Sequence, residues 1–184
     1  MDKNIIIRPI KKEDGEQYLK LNNMVWRDAY KHIFPEDVFI DRENNMDQKI
    51  EKFPTYAYND DTQMMYVAED NGKIIGFASS KIKSNYPHFA ELGYAELGAI
   101  YIHPDYQGIG LGSKFKNMFE KWAKENGATK YVIGVLRDNH KARRVYEKWG
   151  GKLEEYFQPF VKLGIGYDEV FYTYNLEKED KKEQ

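Results

Sequence analysis

Three glycines alternate in the stretch HPDYQGIGLGSKF, at Gly108, Gly110 and Gly112. An apolar run precedes them and a helical pattern follows. The first N–H groups of a helix have no backbone partner, and the helix dipole adds partial positive charge there. Glycines at such a start let an anion reach the backbone itself, so a phosphate or pyrophosphate is the natural guest. Spacing separates three loops of this kind. A Walker loop needs Gly-Lys followed by Ser or Thr, whereas the order here is Gly112-Ser113-Lys114. A dinucleotide fingerprint needs a parallel sheet and an acidic residue closing the next strand, and here that strand runs into Arg137-Asp138-Asn139. The third loop is Gln/Arg-x-x-Gly-x-Gly/Ala, which Gln107, Gly110 and Gly112 satisfy.

The elements around the loop follow from periodicity. NIIIRPI reads as a first strand, closed by Pro9. Tyr18, Leu21, Val25 and Trp26 recur at helical spacing, Pro35 interrupts, and EDVFIDRENNMDQKIEKF resumes the helical pattern. MMYVAED and KIIGFASSKI flank Asn71-Gly72, the strongest short hairpin signal. AELGAIYI is a further strand. Leu111, Phe115, Met118, Phe119, Trp122 and Ala123 then line one face of a helix. KYVIGVL reads as a buried strand, and Ala142, Val145, Tyr146 and Trp149 share a face of a last helix. Two final strands, KLEEYFQPFVKL and YDEVFYTYNL, are joined through Gly164-Ile165-Gly166. The predicted order is strand, two helices, three strands, helix, strand, helix, two strands. This is an α/β (α+β) domain on a mixed, largely antiparallel sheet.

Bulk properties narrow the function. The 184 residues fit one domain, read as residues 1–177, followed by a charged tail, 178–184, expected to be solvated. There is no cysteine, which removes disulfides, thiolate metal sites and thiol nucleophiles together and fits a cytoplasmic protein. A net charge of −2 argues against a general nucleic-acid binder. No run of about 20 apolar residues would span a membrane, and MDKNIIIRP lacks the plan of a signal peptide. The four histidines are scattered, so no metal site is expected.

The chain resembles the GNAT superfamily of acetyl-CoA-dependent N-acetyltransferases. The resemblance rests on AELGAIYIHPDYQGIGLG, the helix after it, and GVLRDNHKARRVYEKWGG, roughly the C-terminal half. VWRDAYKHIFPED and GYDEVFYTYNL also look like a bacterial branch that includes polyamine acetyltransferases. The resemblance implies the GNAT acyl-CoA N-acyltransferase fold, with acetyl-CoA as co-substrate. The amides of Gln107, Gly108, Ile109, Gly110, Leu111, Gly112 and Ser113 would hold its pyrophosphate. The pantetheine arm would pair with Ile100, Tyr101 and Ile102, where the fourth and fifth strands splay, and Asn139 would contact the same arm or simply cap its helix.

Amine acetylation needs a base, N–H donors for the oxyanion, and an acid for the leaving thiolate. By the resemblance Tyr146, seven residues after Asn139, is the acid, although a tyrosine on that apolar face also reads as core. Glu96, eleven residues before Gln107, is the base by the same resemblance. Strict alternation sets it on the face of Ile100 and Ile102 unless a bulge near Gly98 re-aims it, and a solvent-facing glutamate is the alternative. Glu91 and His103 are weaker rivals. Some relatives carry a glutamate on the fifth strand, where this chain has Ile133-Gly134-Val135. Lys114, Arg137, Lys141, Arg143 and Arg144 are candidates for the CoA 3′-phosphate or plain solvated charges. Glu36, Asp37, Asp41, Asp168 and Glu169 are candidates to meet a cationic amine, and Tyr30, Phe34 and Phe160 to wall its pocket. The expected partner is a small primary amine such as a polyamine. A protein N-terminus or lysine, or acyl-CoA binding without turnover, are the alternatives. A homodimer is among the assemblies the resemblance allows.

Overall fold

A computed structural model describes residues 4–176. The ends of the expected domain and the charged tail lie outside the described residues. The strands are β1 (Ile5–Pro9), β2 (Gln63–Asp70), β3 (Lys73–Lys81), β4 (Ala95–Ile102), β5 (Lys130–Leu136), β6 (Lys152–Lys162) and β7 (Ile165–Asn175). The helices are α1 (Gly15–Tyr30), α2 (Glu36–Asn44), α3 (Met46–Lys52), α4 (Pro87–Glu91), α5 (Leu111–Glu125) and α6 (His140–Lys148). The sheet runs β1-β2-β3-β4-β5-β7-β6. Neighbours are antiparallel except β4 and β5, which are parallel.

Alternation along the strands feeds two layers of core. Val67 and Phe77 meet Tyr18, Leu21 and Val25 of α1, while Ala68 and Ala78 meet Leu111 and Phe115 of α5. Farther along α5, Phe119 and Ala123 pack with Tyr131, Ile133 and Tyr172. Phe115 and Phe119 are wholly buried, each worth about 1.5–3 kcal/mol of apolar burial. They hold the N-terminus of α5 against the middle of the sheet.

Three details differ from the expected element order. The long helical segment after Pro35 breaks at Asn45 into α2 and α3. The short α4, opened by Pro87, falls in a stretch without a clear period. The β6–β7 turn is Leu163-Gly164, with Ile165 and Gly166 already in β7. Leu163 takes φ of 48°, like Asn71 at 50° in the β2–β3 hairpin, because two-residue turns that match the strand twist need positive φ.

The start of α1 is tied to the sheet by Asp14, 7% exposed. Arg8 donates two hydrogen bonds to its carboxylate, at 2.7 and 2.9 Å, and the Lys11 N–H donates a third at 2.7 Å. Arg8 also donates to Glu69 at 2.8 Å. Burial alone would raise the Asp14 pKa, but the Arg8 and Lys11 hydrogen bonds and the Arg8 charge hold it below the usual aspartate value. A lowered carboxylate pKa stabilises the fold above the unfolded value, and that contribution is lost as pH falls through the folded one. Asp14→Asn should therefore cost about 1–3 kcal/mol at neutral pH. Urea denaturation should show the deficit shrinking in acid, and a deficit independent of pH would refute the assignment.

Candidate active site

β4 and β5 are paired only at Ala95–Tyr131 and Glu96–Val132. Beyond that point the strands diverge and open a cleft of 790 Å³. Its floor is the free edge of β4 and its far wall is α6, with the start of α5 closing one end. Gly110 is the N-cap of α5, with φ of 85°. Its carbonyl accepts the first helical bond from the Lys114 N–H at 3.0 Å. The N–H groups of Leu111, Gly112 and Ser113 are thus left without helical partners. Gly108 also has positive φ, 78°, and a Cβ built on either Gly108 or Gly110 would meet nothing within 4 Å. The glycines therefore leave an open cradle of amides, the shape a pyrophosphate needs.

Most of the residues expected to hold the cofactor line this cleft: Ile100, Tyr101, Ile102, Gln107, Gly108, Gly110, Leu111, Gly112, Ser113, Asn139 and Tyr146. Ile109 does not. Between two left-handed glycines its side chain is turned away from the wall and is 46% exposed. Gln107 braces the cleft by donating to the Ile102 carbonyl at 3.0 Å and accepting from Lys141 at 2.7 Å. Of the cationic candidates Lys141 and Arg144 reach the lining, whereas Arg137 pairs with Asp168 at 3.0 Å and Arg143 bonds Tyr172 and the Arg137 carbonyl. Lys114 is not part of the lining. Asn139 does cap α6, its Oδ1 accepting from the Ala142 N–H at 3.2 Å.

Tyr146 lines the cleft and also packs against the core. Its ring packs beside Trp149 and Tyr172, at 5.7 and 6.0 Å between centroids. Its hydroxyl forms no hydrogen bond with any described residue. Burial, and then the neighbouring Tyr30, push its pKa well above the ordinary tyrosine value, so the hydroxyl keeps its proton.

A second cavity of 270 Å³ adjoins the first. Tyr30, Gly98, Ala99, Tyr101, Gly134 and Val135 are common to both walls. Tyr30 and Tyr101 share a hydrogen bond of 2.9 Å at this junction. The bulge at Gly98 is present: Ser79 faces Ala99 while Ser80 faces Leu97. Behind it Glu96 is 5% exposed. Its Oε2 accepts from the Ser84 hydroxyl at 2.9 Å and the Asn85 N–H at 2.6 Å. Its Oε1 has only a 3.4 Å contact with the Asn85 amide and lies 3.0 Å from where a Gly98 Cβ would stand. Glu96 is thus one residue behind the shared wall rather than in it. Neither rival lines either cavity: Glu91 is exposed on α4, and His103 accepts from the Asp105 N–H.

Glu169 is the acidic candidate that does line the second cavity. It is 7% exposed. Tyr86 donates to its Oε1 at 2.8 Å and Gln158 to its Oε2 at 3.1 Å. Burial, and to a smaller degree the charge of Glu96, raise its pKa above the usual carboxylate value, against those two hydrogen bonds. Gly134 makes room for this arrangement, because a Cβ there would overlap the Tyr86 hydroxyl and stand 3.0 Å from Glu169 Oε1. Glu36 is taken up by Arg27, and Asp37 and Asp41 are exposed. Tyr30 and Phe160 wall the second cavity, while Phe34 stacks behind them on Trp26 at 5.3 Å.

Two groups of residues here had no sequence signal. Ser84, Asn85 and Tyr86, which hold both carboxylates, precede the short α4. Arg42, also in the second cavity wall, lies on the polar-looking α2.

Comparisons with known proteins place the chain in a family. Residues 22–151 match the family model described as Acetyltransferase (GNAT) family, and the chain belongs to that family. It is 28% identical over 113 residues to the L-methionine sulfoximine/L-methionine sulfone acetyltransferase of Salmonella typhimurium, covering 61% of this chain and 64% of that one. It is 29% identical over 84 residues to the L-amino acid N-acyltransferase MnaT of Escherichia coli, covering 46% and 47%. The matches thus span about half to two thirds of these curated relatives. Among solved structures, the PaiA N-acetyltransferase of Thermoplasma acidophilum in complex with coenzyme A has a TM-score of 0.67 at 21% identity, covering 94% of this chain and 99% of that one. The putative acetyltransferase yncA of Salmonella typhimurium with acetyl-CoA has a TM-score of 0.62 at 22% identity, covering 95% of both. Among the described residues no helix is long and apolar enough to cross a membrane.

Proposed function

We propose that this protein transfers an acetyl group from acetyl-CoA to the primary amine of a small molecule. One observation carries the reading: the amide cradle at Gly108–Ser113 and the split between β4 and β5 form a single cleft that Tyr146 also lines, and a second, smaller cavity shares part of its wall. The cradle suits the pyrophosphate and the free β4 edge at Ile100–Ile102 suits the pantetheine amides. Bound acetyl-CoA supplies a thioester whose carbonyl carbon the amine nitrogen attacks.

The chain's own residues manage the protons. Glu96 Oε1, with its spare lone pairs beside Gly98, receives a proton from the amine by way of one water. Tyr146 holds a proton at its hydroxyl for the departing sulfur. A new C–N bond replaces the C–S bond, and the electron pair of the broken bond leaves on sulfur. The 270 Å³ acceptor cavity is walled by Trp26, Tyr86 and Phe160, and it falls below the roughly 300–1,000 Å³ of sites for drug-sized ligands. That favours a small molecule over a protein N-terminus or lysine. The polyamine expected from the sequence finds no support in the names of the two curated relatives, which refer to amino acids and amino-acid analogues.

Amine-dependent release of free thiol tests the transfer. Glu96→Gln should lower kcat by about tenfold, a modest loss because water and the amine's own neutral fraction remain as proton routes. Its affinity for acetyl-CoA should be unchanged. Full turnover in a folded Glu96→Gln protein would make Glu96 structural, a strut for Ser84 and Asn85.

A further inference from the structure

The second cavity has a positive side as well as Glu169. Arg42 lies in its wall with the guanidinium carbon 4.0 Å above the centre of Trp26. The Nε of Arg42 is buried and has no hydrogen-bond partner, and one Nη reaches Asn22 at only 3.4 Å. Lys162 stands 5.7 Å from the same Trp26 ring and 5.0 Å from Phe160, and Lys49 donates to the Arg42 carbonyl at 3.2 Å. None of the three cations has an ion pair among the described residues. Asp41, the carboxylate nearest in sequence, is exposed and bonded to Asn45. Burial first, and then the charge of Arg42, lower the pKa of Lys49 and Lys162.

An unpaired guanidinium in the wall of a small cavity, with two more unpaired cations close to it outside the lining, is costly unless an anion joins it. The guanidinium over the Trp26 ring carries in-plane N–H donors, which match a carboxylate. A purely cationic acceptor would meet repulsion at this end. Glu169, with Tyr86 and Gln158 fixing its two oxygens, lies in the same wall and beside Gly134, which the larger cleft shares. We infer that the acceptor is an amine that also carries a carboxylate, an amino acid rather than a polyamine, with Arg42 binding the carboxylate and Glu169 the ammonium. This rests on the transferase reading of the same site and names its substrate class.

The test uses the full chain, acetyl-CoA, the standard α-amino acids, their carboxamides, and spermidine. At least one amino acid should exceed its own carboxamide and spermidine in kcat/KM by about tenfold or more, since a lost charged hydrogen bond costs at least that much. Arg42→Met should raise KM for that amino acid by about tenfold, leave kcat nearly unchanged, and spare the carboxamide. Arg42→Lys should recover part of the loss. Glu169→Gln should raise KM for both the acid and the amide, because both carry the ammonium. A preference for carboxamides or spermidine, or equal damage to acid and amide in Arg42→Met, would overturn the inference. If acetyl-CoA binds but no acceptor is acetylated, the transferase reading fails. Calorimetry of amino acids against the CoA-bound protein then decides the site: Arg42-dependent binding supports it, and no binding overturns it.

Discussion

A Gly110→Val protein should fold and fail to hold coenzyme A. Gly110 is in the left-handed region at φ of 85° and caps α5. A β-branched residue there costs about 1–2 kcal/mol of backbone strain or somewhat more. That is affordable for a helix whose other face is fixed by Phe115 and Phe119. The protein itself leaves the space beside Gly110 empty, so the Cβ of a valine meets no protein atom. It would instead occupy the approach to the free amides of Leu111, Gly112 and Ser113. Losing even two hydrogen bonds to a charged group, at about 1.5–3 kcal/mol each, weakens binding by 100-fold or more. Calorimetric titration with CoA should show this, while circular dichroism shows an intact fold. Gly164→Val is the control: it has the same sign of φ, 78°, and equally open space, but sits at the β6–β7 turn. It should lose similar stability and keep CoA affinity. Unchanged CoA affinity in folded Gly110→Val would remove the pyrophosphate from this cradle.

Tyr146→Phe should be the most damaging change to the chemistry. The ring stays in place against Trp149 and Tyr172, so the core loses no aromatic packing. The hydroxyl bonds no described residue, so its removal orphans no protein donor or acceptor and stability should change little. What is lost is a proton held in the wall of the cofactor cleft. Turnover should fall by about 10²-fold or more, the usual effect of removing a general acid, provided that an unreactive amine keeps chemistry rate-limiting. The KM for the amine should stay near its wild-type value. A folded Tyr146→Phe enzyme with full activity on such an amine would leave Tyr146 as a core residue only.

Local features were legible and long-range ones were not. The cradle could be read because Gln107, Gly110 and Gly112 are neighbours in sequence and the helix after them has a clear apolar face. The bulge at Gly98 could be raised as one alternative because strict alternation sets Glu96 on the face of Ile100 and Ile102. Glu169 could be named only as one acid among five. Its place over Gly134 depends on how β7 registers against β5, with Val170 opposite Val135, and no short-range pattern encodes that. Arg42 was invisible for a related reason. It sits on a broken, weakly amphipathic helix, and only the packing of α2 against α1 carries it to Trp26. The turn at Leu163-Gly164 was misplaced by one residue because Gly166 looked like part of it. The twist of the paired strands selected the tighter turn.

The central claim is direct acetyl transfer from acetyl-CoA to an amine, without a covalent enzyme intermediate, in a chain with no cysteine. The most direct measurement combines acetyl-CoA labelled in its acetyl group with an amine panel, and follows both products by mass spectrometry while varying the two substrates. The account predicts label on the amine nitrogen, one free CoA for each acetylated amine, unlabelled protein, and intersecting double-reciprocal lines, as for a complex that holds both substrates. Bound acetyl-CoA with no labelled amine, or parallel lines with label retained on the protein, would contradict it.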